Sequence, residues 1–396
     1  MSAPSAEERA WGWLAHLRAG GATAWGSWSG AGAASAAALP GAATMELARR
    51  LNEERAGRKQ PPCPDLVARV LAAQPVGRGA PERPLPGLGP SSGFGTRPMD
   101  PGDLPARELL RVAAAAIADE LASRPLPEVE APRLPRPWHP AYRLVGDPWL
   151  TRALRAELLR RGRPPGGRRP VHLVLGTDVA RMLAHAWASL VLRRSVRGWS
   201  SWVGSWAERD RLPARADLLP PARRAADLVG AHRVRIVLEP AGAATALRVP
   251  RLAPPPPLPP ADALELVRRV GQPLALATPA AEVPGRLRVL LGLLGSERGE
   301  SLRVPEQHAD WVARRAERMA DALLEADYPV LGDLASLAPG RQADWGATGS
   351  GPTDAGALAV AVRLLAREDG DGPGPGGSTP SGATGPPSAG GSEEAG

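Results

Sequence analysis

Residues 171–175, VHLVL, form an apolar run that stops at Gly176-Thr177-Asp178 and gives way to the helical pattern of 179–194. Five apolar residues, turn residues and then a 3.6-residue period read as a strand entering a helix. The alternation recurs on both sides: YRLVG (142–146) precedes a helix at 149–162, and HRVRIVLEP (232–240) follows helices at 199–209 and near 221–230. Strands joined through helices pair in parallel, which predicts an α/β unit with a three-layer, mostly parallel sheet beyond residue 140. Helices at 261–270, 285–294 and 308–326 lead to a last strand in YPVLGDL and a closing helix at 354–367.

Upstream the pattern is helical only. AEERAWGWLAHLR (6–18) places Trp11, Leu14, Ala15 and Arg18 at i, i+3, i+4 and i+7, and further helices are expected at 43–56, 64–73 and 103–123. The predicted organisation is a helical region at 1–124, a Pro-rich linker at 125–140, the α/β domain at 141–368 and a tail at 369–396. That tail holds Gly, Pro, Ser, Thr and Glu with almost nothing apolar to bury, so it is expected to be disordered.

Of the 49 basic residues only Lys59 is lysine, and the net charge is +8. Arginine holds phosphate in a bidentate fork, so this charge could draw nucleic acid or phosphorylated ligands. The same skew accompanies a single asparagine (Asn52) and a single phenylalanine (Phe94), which reads as a genomic bias. One cysteine, Cys63, excludes an internal disulfide and a Cys-built metal site and suits a reducing, cytoplasmic setting. The opening MSAPSAEERA carries acids where a secretory signal carries positive charge, and no run reaches the length of a membrane span.

Short motifs exclude more than they assign. A Walker A loop needs Gly-Lys-[Ser/Thr], and Lys59 sits in GRKQPP. GPSSG (89–93) has the spacing of a nucleophile elbow, but Ser91 lies in a Pro/Gly loop without the strand and helix that expose such a serine. His16, His139, His172, His185, His232 and His308 form no H-x-x-x-H pair, so no metal is expected. Glu306, His308 and Asp310 sit at a helix start, where acids and caps are ordinary. The arginine run RRGRPPGGRRP (160–170) lacks interleaved aromatics and reads as a solvated helix end rather than a nucleic-acid surface. Trp199, Trp202 and Trp206 have core spacing.

VHLVLGTDVARMLAHAW, then WSSWVGSW and ERDRLP with RADL, then the RVRIVLEP strand, and late ADALLEADYPVLGDLASLAP, resemble in order the second half of bacterial sulfotransferase-like proteins of the P-loop NTPase superfamily. The resemblance covers 141–368 in interrupted pieces. It implies a loop after the first strand that holds the 5'-phosphosulfate of the donor PAPS, and the matching place is YRLVGDPWLTRAL. There Gly146 is kept, Asp147 and Pro148 replace the anion-binding residues, and Thr151 supplies a hydroxyl.

The resemblance also implies an arginine and a serine on the donor's 3'-phosphate. Gly176 and Thr177 stand at that turn, with Thr177 at the arginine position, Arg181 one helical turn on and Ser189 further along. His185 would then be the base. With a carboxylate in the phosphate cradle, the expected function is a degenerate sulfotransferase-like protein without efficient PAPS-dependent transfer. PAPS would be its cofactor only if activity survives. The alternatives are a non-catalytic module whose helical region and tryptophans contact a protein partner, or nucleic-acid binding through the arginine run.

Overall fold

The computed structural model describes residues 4–35, 38–73, 83–88, 96–127, 139–193, 196–340, 345–346 and 351–367. The GPSSG loop with Ser91, most of the linker and the tail lie outside the described residues.

Four helices come first: α1 (Ala6–Arg18), α2 (Ala42–Gly57), α3 (Pro64–Ala72) and α4 (Ala106–Ser123). The sheet region then runs β1 (Tyr142–Gly146), α5 (Pro148–Arg160), β2 (Val171–Leu175), α6 (Val179–Val191), α7 (Trp199–Ala207), α8 (Leu219–Val229), β3 (Val234–Val237) and α9 (Pro240–Leu247). It continues through α10 (Ala261–Ala277), α11 (Val283–Leu293), β4 (Val304–Pro305), α12 (Ala309–Glu325), β5 (Val330–Leu331), β6 (Trp345–Gly346) and α13 (Asp354–Leu365).

The main sheet has order β1-β2-β3-β5 and every pairing in it is parallel. A second, two-stranded parallel sheet joins β4 to β6. The protein is therefore a mixed α/β structure, and helices outnumber strands. Four of the five residues of β2 are buried, which explains why VHLVL carries no polar alternation: both of its faces are covered.

The two faces have different covers. Leu144, Leu173, Leu175 and Val237 pack with Leu158 of α5 and with Ala243 and Leu247 of α9. Val174, Val234 and Ile236 pack instead with α6 and α8, through Val179, Leu183, Ala222 and Ala225. The chain thus leaves β1 over one face and β2 over the other.

The N-terminal helices share this core. Leu109, Leu110, Val112, Ala113, Ile117 and Leu121 of α4 are buried, and α4 packs against α10 and α13 as well as α2 and α3. Polar ties reinforce the junction. Asn52 Nδ2 donates to the carbonyls of Leu17 and Gly21, at 2.8 and 2.9 Å, and buried Arg55 Nη1 donates to Ala366 O at the end of α13, at 3.1 Å. The described residues up to Ala366 accordingly form one compact unit. Among the described residues no helix is long and apolar enough to cross a membrane.

Sequence patterning located most elements and missed α9, because Pro240 and Gly242 in PAGAATAL read as breakers. Proline at the first helical position loses no hydrogen bond, so the helix starts there without penalty. The strand expected over 232–240 is correspondingly shorter, Val234–Val237. The helix expected at 261–270 extends to Ala277 and carries Pro273 inside it.

Two predictions follow from the shared core. Deleting residues 1–124 uncovers the apolar faces of α10 and α13, so the remaining chain loses its cooperative thermal transition, as circular dichroism would report. His172 is 4% exposed, its Nδ1 has no partner among the described residues, and burial, then the Arg143 charge, hold its pKa below the ordinary 6.5. Below that pH the unfolded chain takes a proton that the folded imidazole resists, so stability falls with acidification. His172→Leu flattens this part of the urea-midpoint profile between about pH 6.5 and 5.

Candidate active site

The turn after β1 is built around Gly146 and Asp147. Gly146 adopts φ +96°, and a Cβ there would lie 2.4 Å from Leu175 O, inside the neighbouring strand. Glycine alone permits that turn. It carries the chain over the end of β2, where the Asp147 N–H donates to the same Leu175 carbonyl at 2.8 Å.

Asp147 is fully buried and caps α5. Its Oδ1 accepts from the N–H groups of Trp149 and Leu150, at 2.8 and 2.9 Å. Pro148, between them and the cap, has no N–H to offer. The Thr151 N–H donates to Asp147 O at 2.9 Å, and the Thr151 hydroxyl lies 3.4 Å from Val145 O. Every donor at the start of α5 is therefore taken from within. The other carboxylate oxygen, Oδ2, lies 2.7 Å from His185 Nδ1.

His185 is brought in by α6, two turns beyond its cap. Asp178 accepts the Arg181 N–H at 2.8 Å, forms an ion pair with the Arg181 guanidinium at 3.2 Å and lies 3.3 Å from Thr177 Oγ1. A carboxylate at Nδ1 selects the Nδ1–H tautomer, which leaves Nε2 as the basic nitrogen. The Trp149 ring stacks on the imidazole, with centroids 6.3 Å apart and planes 27° apart.

A cavity of about 610 Å³ lies at this end of the sheet. Trp149, Leu154 and Glu157 of α5, Arg181, Ala184 and His185 of α6, and the Gly176-Thr177 turn line one side. Leu175 at the end of β2, Val237–Glu239 at the end of β3, Pro240 and Ala243 of α9, the Pro254–Pro257 strap and Ser301–Arg303 complete its wall. Trp149 Nε1 donates to Pro256 O at 2.8 Å and pins the strap to α5. Trp199 Nε1 donates to Arg303 O at 2.7 Å and fixes the facing wall. The size suits a drug-sized molecule, and the mixture of apolar wall with a few polar groups is what small-molecule sites share.

Of the residues singled out in the sequence, Gly176, Thr177, Arg181 and His185 line the cavity. Gly146 shapes the turn behind it, and Thr151 faces back onto β1. Ser189 lies further along α6 and accepts from Arg215 Nη1 at 2.9 Å. Sequence reasoning missed the Asp147–His185 pair, 38 residues apart. It also missed Trp149 and the proline strap. The order of Gly, Asp, Pro and Trp after a strand was the available signal, because Asp before Pro marks a cap that begins a helix.

Arg160, Arg161 and Arg163 of the arginine run have partners within the fold. Glu157 pairs with Arg160 and, at 2.6 Å, with Arg161. Arg163 Nη1 donates to Leu247 O at 2.9 Å. No cluster of three His, Cys, Asp or Glu side chains that could hold a metal occurs among the described residues.

Chemically, the pair can accept a proton at Nε2 from a bound hydroxyl or water, with Asp147 stabilising the imidazolium that forms. Compared with models of protein families, with curated proteins and with solved structures, the chain matches none.

Removing Asp147 tests the arrangement. Asp147→Ala orphans two N–H groups and the imidazole, and it should lower stability by about 2–4 kcal/mol in urea titrations. Asp147→Asn keeps the cap and costs less, but its amide must donate to Nδ1. The imidazole then switches to the Nε2–H tautomer, which ¹⁵N NMR of His185 would record.

Proposed function

We propose that this chain is a sulfotransferase-like α/β protein whose donor-phosphate cradle has been closed from within. The cavity beside it is retained as a small-molecule site with His185 as its acid–base group. What supports the reading is the order of the resembling segments along residues 141–368, the parallel sheet and the cavity at the carboxyl ends of β2 and β3.

One observation carries the loss of PAPS use: Asp147 Oδ1 accepts the Trp149 and Leu150 N–H groups that a phosphate would need. A phosphate entering there would have to displace a hydrogen-bonded carboxylate and then sit beside its charge. Two like charges 4 Å apart repel by about 1 kcal/mol in water and about 4 kcal/mol near a protein surface. The second phosphate contact is weakened as well, because Arg181 is turned onto Asp178. His185 keeps the geometry of a general base, so a ligand with an exchangeable proton could still be deprotonated in the cavity.

The rival readings have less to stand on. The apolar faces of the helical region are used in the common core, and Arg160, Arg161 and Arg163 have partners within the fold.

The test is a titration of ¹⁵N-labelled protein with PAPS and with its desulfated product. The imidazole signals of His185 are expected to stay in place at millimolar ligand. A saturable displacement of those signals would overturn the closed-cradle reading.

A further inference from the structure

Residues 251–260, RLAPPPPLPP, leave the backbone little choice. Proline fixes its own φ at about −65° and holds the residue before it extended, so such a run adopts polyproline II, a left-handed helix of three residues per turn. Pro260, the last of the run, has φ −52° and ψ 151°. The segment belongs to no helix or strand and is tied down before, within and after. The Val249 N–H donates to Ala244 O at 3.0 Å, Trp149 Nε1 to Pro256 O at 2.8 Å, and the Ala261 N–H to Glu300 O at 2.9 Å.

Burial along the strap repeats every third residue. Leu252 is 7% exposed and packs with Val237, Ala243 and Leu247, while Pro255 and Leu258 are half-buried. Arg251, Ala253, Pro254, Pro256 and Pro257 are exposed. One edge of a three-sided helix is therefore held by the fold, and two are free. Grooves that read polyproline II take the same share: two neighbouring edges enter aromatic-walled pockets as residue-Pro pairs, and the third edge points away. In the pattern R-x-x-P-x-x-P the pairs here are Ala253-Pro254 and Pro256-Pro257, and the edge pointing away is Leu252, Pro255 and Leu258. Register and burial agree at every position from 251 to 258. Arg251 lies one turn before Pro254 on the same edge, and no carboxylate pairs with it among the described residues. Its charge selects a groove with an acid at that end.

We propose that residues 251–257 are a docking edge for a partner domain of the SH3 kind, whose groove is walled by aromatic rings and carries a carboxylate that pairs with Arg251. The strap is already extended and anchored in the free protein, so docking costs little ordering entropy.

The probe is a ¹⁵N-labelled SH3 domain of the class that binds R-x-x-P-x-x-P peptides, titrated with the unlabelled full chain and followed through its groove resonances. Saturable shifts are expected at the aromatic and acidic groove residues. Arg251→Ala and Pro254→Ala should each weaken binding by about tenfold or more, whereas Pro255→Ala, on the edge that the fold keeps, should change it by less than about twofold. Arg251→Ala alters one exposed side chain and keeps the thermal transition, so binding lost in that variant is not fold lost. Absence of saturable shifts with the full chain, wild-type affinity in Arg251→Ala, or equal losses at Pro254 and Pro255 would each overturn the proposal. If the free peptide 249–260 binds and the full chain does not, the two edges are closed off within the fold and docking there is excluded.

Discussion

Asp147 is the residue on which the site depends. One buried carboxylate cannot remain charged without partners, and here it has three: two backbone N–H groups of α5 and the imidazole of His185. The first two fix where α5 begins and the third fixes how α6 lies against it. Because α5 and α6 cover opposite faces of the sheet, the same carboxylate ties the two helical layers together at the point where the sheet ends. Any ligand that competed for one of these bonds would disturb the others.

Why Asp147 can sit there is a matter of backbone. The left-handed conformation of Gly146 drops the chain onto Leu175, and Pro148 starts the helix with a φ that needs no hydrogen bond. A looser turn would lengthen the loop and leave room for a bound anion. The short Gly-Asp-Pro connection instead brings the aspartate close enough to satisfy the helix itself.

The sheet was legible in the sequence because its strands are apolar on both sides and bounded by turn residues, as VHLVL is between Pro170 and Gly176. The helical N-terminal region was legible as helix but not as part of a common core. Heptad-like spacing states which face is buried and not what buries it, and α4 finds its partners in α10 and α13, more than a hundred residues on. For the site, the sequence supplied Gly176, Thr177, Arg181 and His185 from one contiguous stretch. It could not supply the pairing of His185 with Asp147, since nothing local in either residue's surroundings signals a contact across 38 positions. Asp147 was legible as an obstacle to phosphate, and only the three-dimensional arrangement makes it a partner.

Trp149 links the separate parts of this region. Its backbone N–H serves Asp147, its ring lies on His185 and under Arg152, and its indole N–H holds Pro256 of the strap. One side chain thus borders the cavity, supports the base and stacks with Arg152. A change at any of these neighbours must be accommodated by the same indole, which has only two side-chain torsions and is 5% exposed. Movement of the strap away from α5 would break the Trp149–Pro256 bond. The strap and the acid–base pair therefore share one anchor, and a change that displaces the indole is felt at both.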